Sequence, residues 1–336
     1  MSRPMKKLKV QQHMDGIPEK LVLLFGAPIK DYLTNLPGDT QATVEEIRLR
    51  IGQPVIVRSA EGEWCLSERG PTRNQAEAYH CTRRDVQVLL NQVSGGAMYS
   101  LEEELRSGFV TVPGGHRLGF AGQAVMEKSQ LKTITHISAV NVRLARQVTG
   151  CAQRVLSYIL TNTGLPNNTL IISPPQCGKT TLLRDIVRHL SGTGGIQVGI
   201  VDERSEIAGC HRGVPQLDLG SRVDVLDRCP KAQGMVLLVR SMSPQVVAAD
   251  ELGRQEDVAA VLEMRNAGVK IITTVHGSDL AEVKRRPQVE PLISQRIFER
   301  YLILSRSQGV GTVEQVLDGS GKKLNTAPLR LRGGIL

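Results

Sequence analysis

Aromatic residues make up only 3% of this 336-residue chain, so the stacking platforms that grip single-stranded nucleic acid are not expected to be extensive. No apolar run approaches the length of a membrane span, which argues against a membrane-crossing helix. The six cysteines, Cys65, Cys81, Cys151, Cys177, Cys210 and Cys229, include no C-x-x-C pair; their scatter points to neither a zinc site nor a disulfide framework and suits a reducing cytoplasm. The basic start, Met1 to Gln12, lacks the continuous apolar core of a secretory signal, so a cytoplasmic or membrane-peripheral chain is expected. Lys6, Lys7 and Lys9 read as a solvated terminus.

The composition present is that of a soluble globular protein, with 40% hydrophobic and 22% charged residues. The length calls for two domains with sizeable cores. Lys and Arg exceed Asp and Glu by 42 to 33, a net charge of +9 that favours acidic partners without choosing among nucleotides, nucleic acid and an anionic membrane.

Patterning divides the chain near residue 150. Residues 1–150 read as a small α+β domain: strands at Val44 to Arg50 and Pro54 to Val57, and an amphipathic helix at Arg83 to Val93 with Val86, Leu89, Leu90 and Val93 inward. A second helix at Met98 to Leu105, a hairpin of Gly108 to Val112 with Arg117 to Val125, and a closing strand at Val140 to Leu144 complete it. Residues 151–336 change to a strand, helix, strand rhythm. Apolar runs at Thr169 to Ser173, Gln197 to Asp202, Gln245 to Asp250 and Val269 to Val275 predict a mostly parallel sheet with its ligand site at the strand C-terminal ends. Tyr301 to Leu304 and Gly311 to Leu317 suggest a closing hairpin, followed by a loosely held tail after Asp318.

The first of those strands carries the most specific signal. T-L-I-I-S-P-P-Q-C-G-K-T-T, residues 169–181, runs from an apolar strand into Gly178-Lys179-Thr180 and then into a helix with Leu182, Leu183, Ile186, Val187 and Leu190 on one stripe. In the phosphate-binding pattern G-x-x-x-x-G-K-[ST], backbone N–H groups cradle phosphates, the lysine reaches the β/γ oxygens and the hydroxyl ligates Mg²⁺. Ser173 stands in place of the first glycine, where a tight turn is easier without a Cβ. The strand–loop–helix context and the anion-attracting helix N-terminus support the phosphate-loop reading nonetheless.

The other strand ends supply matching chemistry. Val246-Val247-Ala248-Ala249 leads into Asp250-Glu251, the arrangement called Walker B: an acid that holds the Mg²⁺ shell through water, then a glutamate that orients the attacking water. That pair tilts the reading toward hydrolysis. The second strand ends Asp202-Glu203-Arg204-Ser205-Glu206 and the fourth Thr273-Thr274-Val275-His276, so polar side chains converge where a γ-phosphate would lie. Arg204 and Arg254 flank the acidic tips, and Arg117, Arg143 and Arg146 sit in the first domain, as candidates to stabilise charge on a transferred phosphoryl group.

In this order the motifs resemble those of the secretion ATPases of type II secretion, type IV pilus and type IV secretion systems, a branch of the RecA-like P-loop fold. That family carries a Walker A, an acidic box on the next strand, a Walker B glutamate followed by a turn with an arginine, and a histidine box. Gly178-Lys179-Thr180, Asp202 to Glu206, Glu251 with Arg254 and Glu256, and Thr273 to His276 are similar to these. The opening Val44-Glu45-Glu46-Ile47-Arg48-Leu49-Arg50 is similar to the start of the family's PAS-like N-terminal domain. Asp250 departs from the pattern, which usually has glycine there. Closer still, S-P-P-Q-C-G-K-T-T-L-L-R-D, V-D-E-R-S-E-I-A-G, D-V-L-D-R-C-P-K-A, R-S-M-S-P-Q-V and F-E-R-Y-L-I-L-S-R resemble a family of stage III sporulation proteins of endospore-forming bacteria, through nearly all of the chain. On that resemblance Ser173 is a family habit.

The expected architecture is therefore an α/β RecA-like P-loop NTPase core behind a smaller N-terminal α+β, PAS-like domain. Glu251, Glu203, His276, Arg204 and Arg254 are the catalytic candidates. Ser173, Pro174, Pro175, Gln176, Cys177, Gly178, Lys179, Thr180 and Thr181 are the candidates for binding nucleotide, with Arg117 and Arg143 reaching across from the first domain; Thr180 and Asp250 would hold Mg²⁺, Asp250 through water. The resemblance implies a Mg²⁺-dependent ATPase motor, a homo-oligomer of hexameric form, peripheral to the mother-cell membrane. It would work with an integral membrane platform protein to energise a secretion-like channel toward the forespore. The competing expectation is a nucleic-acid-binding P-loop NTPase using its basic surface; scarce aromatics and the lack of a recognisable nucleic-acid motif weigh against it, and nucleic acid is not expected as a partner.

Overall fold

The computed structural model describes residues 16–59, 61–96, 101–106, 108–325 and 327–330, in two compact units, 13–146 and 147–336. The basic residues Lys6, Lys7 and Lys9 and part of the helix expected from Met98, residues 98–100, lie outside the described residues.

The N-terminal unit opens with three short helices, α1 (Glu19–Val22), α2 (Ile29–Thr34) and α3 (Gly38–Thr43), and is built around one antiparallel sheet. Its strands are β1 (Val44–Arg50), β2 (Ile56–Ser59), β3 (Gly62–Ser67), β4 (Gly70–Thr72), β5 (Phe109–Val112), β6 (His116–Glu127) and β7 (Gln130–Arg143), in the order β4-β3-β2-β1-β7-β6-β5. Helix α4 (Arg83–Ser94) is set by a capping box in which Thr82 and Asp85 satisfy each other's backbone N–H groups, and it ends at the left-handed Gly95. It buries Val86 and Leu89 fully, and Leu90 and Val93 partly, against Ile47, Leu49 and Val142. Within the described residues helix α5 spans Glu102–Arg106.

The closing strand expected at Val140 to Leu144 is the end of a much longer one. Only residues 139–143 of β7 pair with β1, and only 116–119 of β6 pair with β5, so the pair continues as a two-stranded arm beyond the sheet. The arm's residues are mostly exposed; its β6 side is covered by the strand expected at Arg117 to Val125, whereas its β7 side, before Val140, has no buried alternation to reveal it. Strands β3 and β4 escape notice because they are short and turn-rich.

The C-terminal unit begins with α6 (Gln153–Ile159) and then alternates β8 (Thr169–Ser173), α7 (Lys179–Ser191), β9 (Val198–Asp202), β10 (Val223–Asp227), α8 (Lys231–Met242), β11 (Val246–Ala249), α9 (Gln255–Asn266) and β12 (Lys270–His276). Short helices α10 (Leu280–Lys284) and α11 (Glu290–Ser294) precede the hairpin β13 (Arg300–Ser305) and β14 (Thr312–Asp318), and β15 (Leu329–Arg330) ends it. The sheet order is β10-β9-β11-β12-β8-β13-β14-β15, parallel from β10 to β13 and antiparallel beyond.

All side chains of β8, β9 and β11 are buried, as expected for strands covered on both faces. One layer packs α6 and α7 on Ile171, Val198, Ile200, Val246, Ala248 and Ile272. The other packs α8, α9 and α11 on Leu170, Ile172, Val201, Val247 and Ile271. Leu182, Leu183, Ile186, Val187 and Leu190 of α7 are all fully buried, as their spacing requires. The same helix buries charge with a purpose. Arg184 donates to the carbonyls of Ile207 and Glu206, each at 2.6 Å, and Asp185 accepts from the N–H groups of Gly150 at 3.0 Å and Ala152 at 2.7 Å.

The described residues after Asp318, as far as 330, are held, contrary to expectation. Buried Asn325 accepts from Val316 N–H at 2.7 Å and donates to the carbonyls of Glu314 and Ala327, and β15 adds to the sheet edge. Strand β10 is also not legible in the sequence, because its residues are only half-buried on the sheet's outer side.

In the N-terminal unit His116 is 3% exposed, and its Nδ1 accepts from Ala145 N–H at 3.0 Å. Burial lowers its pKa to about 4. The folded state therefore resists protonation while the unfolded chain takes up a proton near pH 6.5, so stability present above pH 6.5 drains away as pH falls toward 4. The loss should approach about 3 kcal/mol. Trp64, the single tryptophan, reports this unit. Urea unfolding followed by its fluorescence should show this pH slope in the natural chain, and a shallower one in His116→Asn, whose amide oxygen keeps an acceptor but does not titrate. Identical slopes would rule out the assignment.

Candidate functional site

Parallel register brings the ends of β8, β9, β11 and β12 to one edge: His276 lies opposite Ser173, Asp227 opposite Asp202, and Ala249 opposite both Val201 and Thr273. The residues expected from four separate motifs therefore meet.

Between β8 and α7 the chain turns through Pro174 to Gly178. Ser173 is fully buried at the end of its strand, with its hydroxyl donating to the Pro174 carbonyl at 2.7 Å. It is not among the residues with positive φ; those are Gln176, at +57°, and Gly178, at +86°. The tight part of the loop thus lies three to five residues after Ser173, which explains why glycine is dispensable at 173. Cys177 is buried under the loop, its thiol directed at the Pro175 carbonyl at 3.5 Å. Helix α7 starts at Lys179 with no side-chain cap, so its first backbone N–H groups are left as donors for an anion, with Thr180 and Thr181 in the same first turn.

Lys179 Nζ is 3.2 Å from Glu251 Oε1, and Arg204 Nη1 is 3.3 Å from Glu251 Oε2. Burial pushes the Glu251 carboxyl upward, but the charge and hydrogen bond of Lys179, followed by Arg204 and His276, outweigh it and hold the pKa below its ordinary value. The carboxylate is ionised at neutral pH. Glu251 has a left-handed backbone, φ +48°, and its N–H donates to Thr274 Oγ1 at 2.8 Å, so β12 fixes an otherwise disfavoured conformation.

Neighbouring Asp250 is 3% exposed, and its pKa is raised to about 6 by burial and then by the charge of Asp202. A buried carboxylate pushed this far is a group that a cation would satisfy. That donor set, with the Thr180 hydroxyl and uncapped helix start, fits a nucleotide triphosphate with Mg²⁺. His276 Nδ1 lies 3.1 Å from the Ser173 carbonyl. A carbonyl only accepts, so Nδ1 carries the proton and Nε2 is the free position.

Glu203 is held by two cations, Lys231 directly and Arg254 at 3.9 Å. Lys231, 9% exposed at the start of α8, escapes the sequence reading because a lysine after Pro230 looks like any helix-start surface charge. Arg254 also serves the local backbone: its N–H and that of Gly253 donate to Asp257, which caps α9.

Asp202, at the heart of the acidic segment, is fully buried and accepts from the N–H groups of Glu206 at 2.7 Å, Ile207 at 3.0 Å and Ala208 at 2.8 Å. It shapes the loop that presents Glu203 and Arg204. Arg306 escapes the sequence reading too; it comes from the turn between β13 and β14 and donates to the Gln176 carbonyl from Nη2 at 2.7 Å and Nε at 3.2 Å.

Arg117 and Arg143 belong to the N-terminal unit, where they are direct cross-strand partners on β6 and β7. Arg117 stacks over Phe109 at 4.6 Å, and Arg143 pairs with Glu46 at 3.4 Å. Arg146 donates to the Val44 carbonyl at 2.6 Å, which gives that guanidinium a structural place. Among the described residues no helix is long and apolar enough to cross a membrane.

A family model described as sporulation stage III, protein AA matches residues 18–324. The Stage III sporulation protein AA of Bacillus subtilis strain 168 is 45% identical over 303 residues, 88% of this chain and 94% of that protein. Among solved structures, the pilus retraction motor PilT with bound ADP is similar with a TM-score of 0.53 at 17% identity, covering 77% of this chain and 73% of that one. The Legionella pneumophila ATPase DotB is similar with a TM-score of 0.50 at 16% identity, covering 84% and 75%. At such identities the likeness is one of fold, and the fold is the RecA-like one that the motif order implies.

Asp202→Ala would leave three N–H groups of the acidic loop without their acceptor, a loss of roughly 3 kcal/mol or more. Urea unfolding followed by circular dichroism should show it, with Trp64 fluorescence as a control on the other unit. Asp202→Asn, which retains one acceptor oxygen, should lose less. Equal stability of Asp202→Ala and the natural chain would dismiss this role.

Proposed function

The chain belongs to the sporulation stage III protein AA family, and we propose that it is a Mg²⁺-dependent ATPase whose site is the edge formed by β8, β9, β11 and β12. The observation that carries the reading is the triad Lys179–Glu251–Arg204, in which an ionised glutamate at the Walker B position is held beside the loop lysine. Uncapped N–H groups at the start of α7 bind phosphate oxygens, and Lys179 moves its charge from Glu251 to the β/γ oxygens. That exchange frees Glu251 to orient the attacking water and accept its proton. Bound Mg²⁺, held by Thr180 and, through water, by Asp250, would neutralise charge on the leaving phosphates. His276 offers Nε2 to the terminal phosphate or the water, since its Nδ1 is fixed by Ser173.

Arg204 and Arg254 supply positive charge on the near side; Glu203, paired with Lys231 and Arg254, sets the position of Arg254, and Glu251 holds Arg204. Arg117 and Arg143, side by side on one sheet, are the N-terminal unit's contribution in the same or a neighbouring subunit. Resemblance to secretion ATPases supports a homo-oligomeric, hexameric ring, docked on an integral membrane platform protein at the mother-cell membrane, whose ATP turnover energises a secretion-like channel toward the forespore.

Lys179→Ala and Glu251→Gln should each reduce phosphate release from ATP by roughly 100-fold or more. They should part in binding: Glu251→Gln keeps ATP affinity, whereas Lys179→Ala loses it. Activity that survives both substitutions defeats the ATPase reading. Strong stimulation by single-stranded DNA or RNA with a steep salt dependence would replace the motor with a nucleic-acid-linked NTPase. Sedimentation of the chain with and without ATP and Mg²⁺ should show assembly promoted by nucleotide; a monomer under both conditions would remove the ring.

A further inference from the structure

The turn that joins β13 to β14 lies against the phosphate loop at two points. Arg306 reaches Gln176 three ways: Nη2 and Nε donate to its carbonyl at 2.7 and 3.2 Å, and Nη2 donates to its side-chain oxygen at 3.3 Å. On the other side of the turn, Val310 and Gly311 abut Gly178, where an added Cβ would meet Val310 Cγ1 at 3.5 Å and Gly311 Cα at 3.6 Å. The loop itself depends on left-handed backbone at Gln176 and Gly178. Glycine adopts that conformation freely, but glutamine does so only when its surroundings impose it.

We propose that Arg306 is a positioning residue for the nucleotide site, which fixes Gln176 in its left-handed conformation and so sets the phosphate loop before nucleotide arrives. The proposal rests on the reading of this loop as a phosphate cradle. In a planar trans peptide the C=O and N–H point in opposite directions, so drawing the Gln176 carbonyl toward Arg306 aims the Cys177 N–H away from the turn and into the loop. A guanidinium suits this role because its fork reaches the carbonyl and the side chain of one residue together, which a lysine ammonium on a flexible stem does not reproduce. Arg306 is exposed, so its removal leaves the packed core intact and acts on the loop.

The test has one arm without nucleotide and one with it. Cys177 is buried under the loop, and Cys151 and Cys210 are buried elsewhere in the same unit. Alkylation of the full chain by iodoacetamide, followed site by site with mass spectrometry, should be faster at Cys177 in Arg306→Ala by roughly 10-fold, the effect of losing a charge-assisted hydrogen bond, with Cys151 and Cys210 unchanged. Arg306→Lys should fall between. ADP affinity should drop by a similar factor in Arg306→Ala. In a chain carrying Q176G, where the left-handed conformation no longer needs imposing, the further change R306A should alter both readouts by less than about 3-fold. Equal effects in both backgrounds, or an unchanged Cys177 rate in Arg306→Ala, overturn the proposal. If the natural chain binds no ADP while Cys177 responds as stated, the phosphate-cradle reading falls and the hold of Arg306 on the loop stands.

Discussion

Burial on both faces of the parallel strands is the constraint from which the rest of the C-terminal unit follows. Strands β8, β9 and β11 bury every side chain, so charged groups are excluded from their length and collect at their ends. There the backbone has turned away from its sheet partners and needs other ones. Asp202 meets that need for three N–H groups, Thr274 does so for Glu251, and Ser173 offers its carbonyl to His276. The same few ångströms thus hold both the structural polar groups and the candidate chemistry, and several residues serve both. Asp250 shows the tension: burial and the charge of Asp202 raise its pKa to about 6, a disadvantage in the isolated chain that a cation would convert into affinity.

Much of this edge is legible in the sequence because strand, loop and helix there use strong local signals: apolar β-branched runs, a glycine before lysine and threonine, paired acids after a strand. What the sequence does not carry is the pairing of charges across distant segments. Lys231 and Glu203 are joined only because α8 starts beside the end of β9, and Arg306 finds Gln176 only because β13 lies next to β8. In the N-terminal unit the β7 side of the arm is missed for a different reason. Its residues face water on most sides, so neither the period of a buried strand nor a turn-forming glycine marks it; the turn at Lys128 and Ser129 uses two non-glycine residues with positive φ.

The loop between β8 and α7 illustrates how a sequence pattern can draw attention to the wrong position. The sequence draws attention to Ser173 as the missing glycine, yet the backbone there is ordinary. The unusual geometry sits at Gln176, a residue with no glycine-like freedom, and a distant arginine is engaged with its carbonyl. Conformational need and residue type are reconciled through tertiary contact and not through local sequence.

Helix α7 carries one further implication. Its first turn holds Lys179 and Thr180, and roughly one and a half turns later Asp185 grips the N–H groups of Gly150 and Ala152, where the chain enters this unit. Between them Arg184 is fastened to the acidic loop. A helix is stiff along its axis, so α7 works as a lever with three attachments: any tilt at its N-terminal end is delivered to the entering chain and to the Asp202 loop together, with no hinge between them to absorb it.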